Sequence, residues 1–186
     1  MRFGLLLTTV FGPLLTPVAL APAAPVPSGA EPRYFYPTRV GDRMVYKRDD
    51  NDEYTTTVAK VEKVEGAFHV TTNQILDDGT QRLDEQMEVS SKGLRLIRWT
   101  YRRTLPHPYW SLKVTPDADA TWTSKWAIFT NDGIDTFEDQ ENTVVGWETV
   151  EVPAGKFRAV RVDRVGTHQM FKSKRTTWYA LGQGYF

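Results

Sequence analysis

The sequence predicts a mainly β protein built as a single curved antiparallel sheet, an open and meander-like half-barrel with little helix. Short segments rich in Thr, Val, Tyr, Trp and Phe recur along the chain, and turn-forming groups such as DDG, NDG and PAG separate them. Several segments also alternate apolar and polar residues, as strand side chains do on the two faces of a sheet. Because tight turns join neighbouring segments, the pattern favours an antiparallel meander over βαβ units.

Residues 1–23 have the layout of a secretory signal peptide. Arg2 precedes an apolar run over residues 3–15, and small residues with prolines follow it. A membrane-spanning helix needs about 20 continuous apolar residues, whereas Gly12 and Pro13 interrupt this run. The segment is therefore predicted to be cleaved rather than kept as an anchor.

The predicted cleavage site follows Ala23, with Ala21 and Ala23 as the two small residues of the A-x-A pattern. Ala19 and Ala21 form a second such pair, but Pro22 then lies next to the cut. Export to the periplasm or to the outside of the cell follows from either site.

Cleavage leaves a chain of 163 residues with 22 basic and 23 acidic side chains. We expect residues 24–33, rich in Pro, Ala, Gly and Ser, to form a flexible arm, and residues 34–186 to form one β domain. The near-neutral charge favours neither nucleic acid nor an anionic membrane as a partner. Because the chain contains no cysteine, it has no disulfide, thiolate or lipidated cysteine, and packing must stabilise it.

The strands are predicted from the segments between turn groups, in chain order. They cover roughly residues 43–48, 53–64, 67–76, 80–90, 94–102, 111–115, 120–130, 134–150, 156–168 and 170–180. In this assignment the groups DDND, EG, SKG and PHP are also turns.

The segment DATWTSKWAIFTND allows two interpretations. Trp122, Trp126 and Phe129 stand at i, i+4 and i+7, the spacing of one helical face. A strand would instead align Trp122, Ser124, Trp126 and Ile128. The Thr and Trp content and the turn formers after the segment favour the strand.

The group VPAG at residues 152–155 predicts a hairpin turn. Pro153 cannot donate a backbone hydrogen bond to a sheet, and Gly155 tolerates the positive φ that reverses the chain. Turn chemistry accounts for the whole group. The pair Gly182 and Gly184 lacks the third glycine and the lysine of a phosphate-binding loop, so nucleotide binding is not predicted.

The six tryptophans all lie between residues 99 and 178, and two interpretations of them stay open. They can fill the core, since an aromatic side chain buries about 150–250 Å². Alternatively, a curved sheet leaves some of the rings on the wall of a concave groove that binds a lipid, a peptide or a glycan. The candidate ligand-binding residues are Trp99, Trp122, Trp126, Trp147 and Trp178.

No residue pattern predicts a catalytic or metal site or a cofactor. His69, His107 and His168 lack the spacing of a zinc motif, and no serine lies in a nucleophile elbow. The acidic group at 49–53 is interpreted as a solvated turn, with calcium binding as the alternative. The strand carboxylates are interpreted as ordinary exposed acids: Glu85, Glu88, Glu138, Glu141, Glu148 and Glu151.

Three segments carry a resemblance to known proteins: YFYPTRVGDRMVYK, VPAGKFRAVRV and TTWYALGQG. They resemble a loosely defined group of uncharacterised exported bacterial proteins, distantly similar to the LolA/LolB-like periplasmic lipoprotein carriers with an open β half-barrel. The resemblance spans most of residues 34–186. It implies an antiparallel half-barrel and a last strand cut short at Phe186, and it implies no catalytic residue.

The leading hypothesis is a non-catalytic, exported binding or carrier-like module for an apolar or amphipathic ligand. The alternative is a structural or adaptor domain of the cell envelope that contacts a protein partner. A hydrolase is the third class and would require convergent polar groups with shifted pKa values in a cleft. A deep concavity lined by the tryptophans favours the first class, and a filled core favours the second.

Overall fold

The computed structural model describes residues 34–47, 53–99, 103–113, 119–129 and 135–186. Eleven strands lie in these ranges, and no helix does. The strands are β1 (Arg43–Lys47), β2 (Glu53–Val64), β3 (Ala67–Ile75), β4 (Gln81–Ser90), β5 (Gly93–Trp99), β6 (Arg103–Lys113), β7 (Thr121–Phe129), β8 (Asp135–Val152), β9 (Gly155–Thr167), β10 (Lys172–Ala180) and β11 (Gly184–Tyr185).

The strands form an antiparallel meander that is divided between two curled sheets, each a half-barrel. The first sheet has the order β1-β2-β3-β4-β5-β6, and the second has the order β11-β10-β9-β8-β7. The predicted mainly β, antiparallel, half-barrel class is confirmed. The sequence predicted one continuous sheet, whereas the hydrogen-bonded ladder stops between β6 and β7.

Two contacts bring the edge strands β1 and β11 and the segment before β1 together. The backbone N–H of Gly182 donates to the carbonyl oxygen of Tyr34 over 2.7 Å. The rings of Tyr46 on β1 and Tyr185 on β11 lie with their centroids 5.8 Å apart. The two sheets therefore enclose a common interior between them.

Two strands differ from the prediction. β6 begins at Arg103 instead of residue 111, so the PHP group lies within a strand and not in a turn. Proline is tolerated there because β6 is an edge strand and its pairing with β5 is irregular between Leu96 and Arg98. The short strand β11 was not predicted, since two residues carry no periodicity.

The ambiguous tryptophan segment is a strand, and the helical alternative is wrong. β7 pairs with β8 in unbroken register from Thr121 opposite Thr143 to Phe129 opposite Asp135. The VPAG turn is also confirmed: Val152 faces Gly155 across a turn at 153–154, and the φ angle of Gly155 is 134°.

The core consists of the inward side chains of both sheets. The first sheet contributes Val58, Val70, Met87, Val89, Leu94 and Leu112, and the second contributes Trp122, Val144, Val160, Val162 and Tyr179. The segment Tyr34–Tyr36 enters between the sheets, where Tyr36 is only 1% exposed. Its neighbours pack beside it, with Tyr34 against Phe68 and Phe35 against Trp147.

The position of Gly93 leaves no room for a side chain. Its φ angle is 131°, and a Cβ atom there would overlap the backbone carbonyl oxygen of Leu112. We expect Gly93→Ala to destabilise the protein by roughly 2 kcal/mol more than Gly79→Ala, since β5 and β6 must move apart. Gly79 also has a positive φ angle, 79°, but open space around it. Gly79→Ala therefore measures the cost of backbone strain alone, without a steric overlap. Urea unfolding of the two variants measures the difference, and equal losses would contradict the steric explanation.

Candidate functional site

A cavity of about 360 Å³ lies between the two sheets. The first sheet lines it with Tyr54, Gln74, Arg82, Asp84, Glu85, Met87, Leu96, Trp99, Tyr109 and Ser111, and the second lines it with Trp126, Arg164, Arg175, Thr177, Tyr179 and Tyr185. Aromatic rings and charged groups therefore share one partly open cavity.

A β-bulge places two consecutive acidic residues on the cavity wall. Thr72 pairs with Glu85 and Asn73 pairs with Leu83, so Asp84 is an extra residue on β4. In a regular strand Asp84 and Glu85 would point to opposite faces, but here both line the cavity.

Glu85 lies at the boundary between the cavity and the Tyr34–Tyr36 segment. Its side chain is buried, at 5% exposure, and Tyr36 Oη donates to its Oε1 over 2.6 Å. Tyr185 Oη lies 3.3 Å from Oε2 and also donates to the carboxylate. Burial raises the pKa of Glu85 to about 7, the charge of Asp84 raises it too, and the two tyrosine hydroxyls act in the opposite direction.

Arg164 is the buried cation on the opposite wall. Its Nε donates to Asn142 Oδ1 over 2.9 Å, and its Nη1 donates to Thr177 Oγ1 over 2.8 Å. Its Nη2 donates to the carbonyl oxygen of Ser111 over 2.7 Å and also to the hydroxyl of Tyr179. Because Ser111 belongs to β6 and Arg164 to β9, this guanidinium joins the two sheets.

Aromatic rings form another part of the cavity wall. Trp99 and Trp126 meet edge to face with their ring centroids 5.1 Å apart, and Tyr109 lies 4.9 Å from Trp126. The guanidinium carbon of Arg175 stands 5.6 Å from the Trp126 ring centroid. This geometry gives a ligand a flat apolar surface beside a cation.

Two of the five candidate tryptophans line the cavity, Trp99 and Trp126. Trp122 is 5% exposed in the core, and its Nε1 donates to the carbonyl oxygen of Trp110 over 3.1 Å. Trp147 lies at the interior edge against Phe35.

Trp178 is the fifth candidate, and it lies on the outer face of β10. It is one residue out of phase with Thr177 and Tyr179, which line the cavity, and its Nε1 donates to Glu148. The structure thus separates the five rings among cavity, core and surface.

Several buried or cavity-lining residues were not identified from the sequence. Glu85 and Glu138 were interpreted as exposed acids, but each is 5% exposed, so that interpretation is wrong for both. The partners that bury these carboxylates are distant in sequence, such as Tyr36 for Glu85 and Ser173 for Glu138. Arg164 and Arg175 were not identified from the sequence, because the facing sheet that completes the cavity is distant in the chain.

Within the described ranges, no group of three or more His, Asp or Glu side chains is placed to hold a metal ion. His69 lies 3.8 Å from the carboxylate of Glu88 on the neighbouring strand. The acidic turn proposed as the calcium alternative lies outside the described residues, apart from Glu53. Among the described residues, no helix is long and apolar enough to cross a membrane.

No protein-family model matches this chain, and no curated protein matches it. Two solved structures are similar to it over 82% of this chain and 88% of theirs. One is a candidate lipoprotein from Parabacteroides distasonis ATCC 8503, with 16% sequence identity and a TM-score of 0.46. The other, from Bacteroides fragilis NCTC 9343, is a candidate exported protein with a YmcC-like fold, with 15% identity and a TM-score of 0.45. The likeness to periplasmic lipoprotein carriers stays a prediction.

The raised pKa of Glu85 makes the stability of the fold depend on pH. Between pH 4.5 and 7 the unfolded chain loses this proton while the folded protein keeps it, so stability is full at the acid end and falls as pH rises. The loss amounts to roughly 3 kcal/mol once the pH exceeds the folded-state pKa. We expect Glu85→Gln to abolish most of this decline in urea unfolding at pH 4.5 and pH 8. Glu88→Gln, on the same strand but the other face, serves as the control. If the free energy of unfolding of Glu85→Gln falls with pH as steeply as that of the native protein, Glu85 is not the group responsible.

Proposed function

We propose that the protein is an exported binding module that holds a small amphipathic ligand in the cavity between its two sheets. One observation carries this proposal: a space of about 360 Å³ in which the aromatic pair Trp99 and Trp126 adjoins charged side chains. Small-molecule sites are concave, mostly about 300–1,000 Å³, and combine apolar walls with a few polar groups. The cavity has these properties.

The energetics of the interior support a binding role over simple core packing. Protein interiors are close-packed, whereas these side chains leave a partly open space of about 360 Å³ between the two sheets. Glu85 and Arg164 are both buried at its walls, although buried charges cost stability.

The cavity also bears on the adaptor alternative. A protein-contact domain was expected to have a filled core and to act through a flat surface. Large exposed apolar side chains occur on several elements, among them Val45 on β1, Phe137 on β8 and Met170 between β9 and β10. The feature that favours the small-ligand proposal is therefore the cavity.

Glu85 gives the hydrolase alternative one observation in its favour. A buried carboxyl with a pKa of about 7 can donate a proton near neutral pH. In the described part of the cavity, however, the hydroxyls of Ser111 and Thr177 have no histidine partner. Thr177 instead accepts from Arg164. The carboxyl is thus better placed to hydrogen-bond a ligand than to start a bond cleavage.

Export is part of the proposal and depends on residues 1–23. N-terminal sequencing of the processed protein from a bacterial host is expected to begin at Ala24. Ala23→Glu should block that cut, because the site accepts only small residues. A processed chain that begins at Pro22 would select the second site, and an extracytoplasmic chain that keeps Met1 would contradict cleavage.

Binding in the cavity can be tested with N-phenyl-1-naphthylamine, an uncharged aromatic probe whose fluorescence rises in apolar sites. We expect saturable binding by the native protein and at least a roughly tenfold weaker affinity in Trp126→Leu, since a stacked aromatic contact is lost. Trp178→Leu is the matched control and should bind normally because Trp178 lies outside the cavity lining. Thermal unfolding checks that both variants fold. Equal weakening in both variants, or no saturable binding by the native protein, would contradict the proposal.

A further inference from the structure

Two arginines lie directly opposite each other on neighbouring strands. Arg164 on β9 pairs in register with Arg175 on β10, and both side chains line the cavity. Like charges directly opposite in an antiparallel pair destabilise a sheet. A cost of this kind calls for a compensating group.

The groups in direct contact with the two arginines supply no such charge, and the carboxylates of Asp84 and Glu85 lie on the facing wall of the cavity. All four hydrogen-bond acceptors of Arg164 are neutral: the Asn142 amide oxygen, the Thr177 and Tyr179 hydroxyls and the Ser111 carbonyl. Among the described carboxylates, none lies within ion-pair distance of either arginine. By contrast, Arg161 on the outer face of β9 forms an ion pair with Asp163 at 2.9 Å.

Donor capacity remains on both guanidinium groups. A guanidinium has five N–H donors. Arg164 directs four of them to protein acceptors, which leaves one on Nη1. Arg175 is exposed, stands over Trp126, and forms no hydrogen bond or ion pair from its side chain to another described residue. Its donors are available to an incoming oxyanion.

We propose that the ligand is an amphipathic anion whose oxyanion group binds Arg175, with the buried charge of Arg164 behind it, and whose flat apolar part lies on Trp126 and Trp99. This inference rests on the proposed function and specifies the ligand class. Guanidinium groups bind carboxylate, sulfonate and phosphate oxygens in the same bidentate manner, so the common requirement is a planar pair of acceptor oxygens beside an apolar body.

Glu85 fixes the orientation of such a ligand. It lies beside Asp84 on β4 in the facing sheet, and an ionised carboxylate on this wall repels an anion. Its neutral form accepts or donates a hydrogen bond without favouring a negative charge. The anionic end therefore binds at the wall formed by β9 and β10, and a hydroxyl or other neutral group suits the wall formed by β4.

A matched pair of probes tests the charge requirement: 8-anilinonaphthalene-1-sulfonate, which is anionic, and N-phenyl-1-naphthylamine, which has the same aromatic skeleton without the sulfonate. The native protein should bind the anion at least roughly tenfold more tightly than the neutral probe, as expected for a charge-assisted contact. Arg175→Gln should remove this advantage and leave the affinity for the neutral probe within about twofold. Arg158→Gln is the control, because Arg158 also stands over a tryptophan, Trp147, at 5.2 Å but does not line the cavity.

The outcomes separate the two proposals. Binding of both probes with equal affinity would overturn the anion inference and leave the binding function intact. Failure of both probes to bind would overturn the binding function itself. Loss of the anion preference in Arg158→Gln as well as in Arg175→Gln would show a general effect of surface charge and would also overturn the inference. Addition of acetate, sulfate or inorganic phosphate as a competitor then distinguishes which oxyanion Arg175 prefers.

Discussion

The two sheets are held together by hydrogen bonds to two buried ionisable side chains, Glu85 and Arg164, and the rest of the interior depends on this arrangement. Glu85 in the first sheet accepts from Tyr36 before β1 and from Tyr185 in β11. Arg164 in the second sheet donates to the carbonyl oxygen of Ser111 in the first. Each hydrogen bond to a charged group such as Arg164 contributes about 1.5–3 kcal/mol. The same two residues thus tie the sheets and line the space that they leave between them.

The strands and turns were predictable because their signals are local. Alternation placed β2, β3 and β4 within a residue or two of their observed bounds, and turn chemistry placed the hairpin at 152–155. The edge status of β6 was not predictable, because it depends on where the ladder ends. Pro106 and Pro108 look like turn residues in the sequence and become acceptable in a strand only at such an edge.

The site was less predictable than the fold, for two physical reasons. Strand phase gives a side chain one face or the other, but a bulge changes the phase, and the bulge at Asp84 is visible only in the pairing of β3 with β4. Aromatic content also does not distinguish a core ring from a cavity ring. Trp122 and Trp126 share a face of β7, yet Trp122 packs in the core while Trp126 reaches the cavity, because different residues of the facing sheet oppose them.

The Tyr34–Tyr36 segment determines how much of the interior a ligand can use. It occupies the space beside Phe68 and Trp147, and Tyr36 closes that space where it meets Glu85. A long acyl chain that extended through the interior would have to displace Tyr36, which is almost fully buried, and break its hydrogen bond to a buried carboxyl. A compact ligand that stops at Glu85 requires neither change. The position of Tyr36 therefore favours a compact ligand over an extended lipid at the proposed binding site.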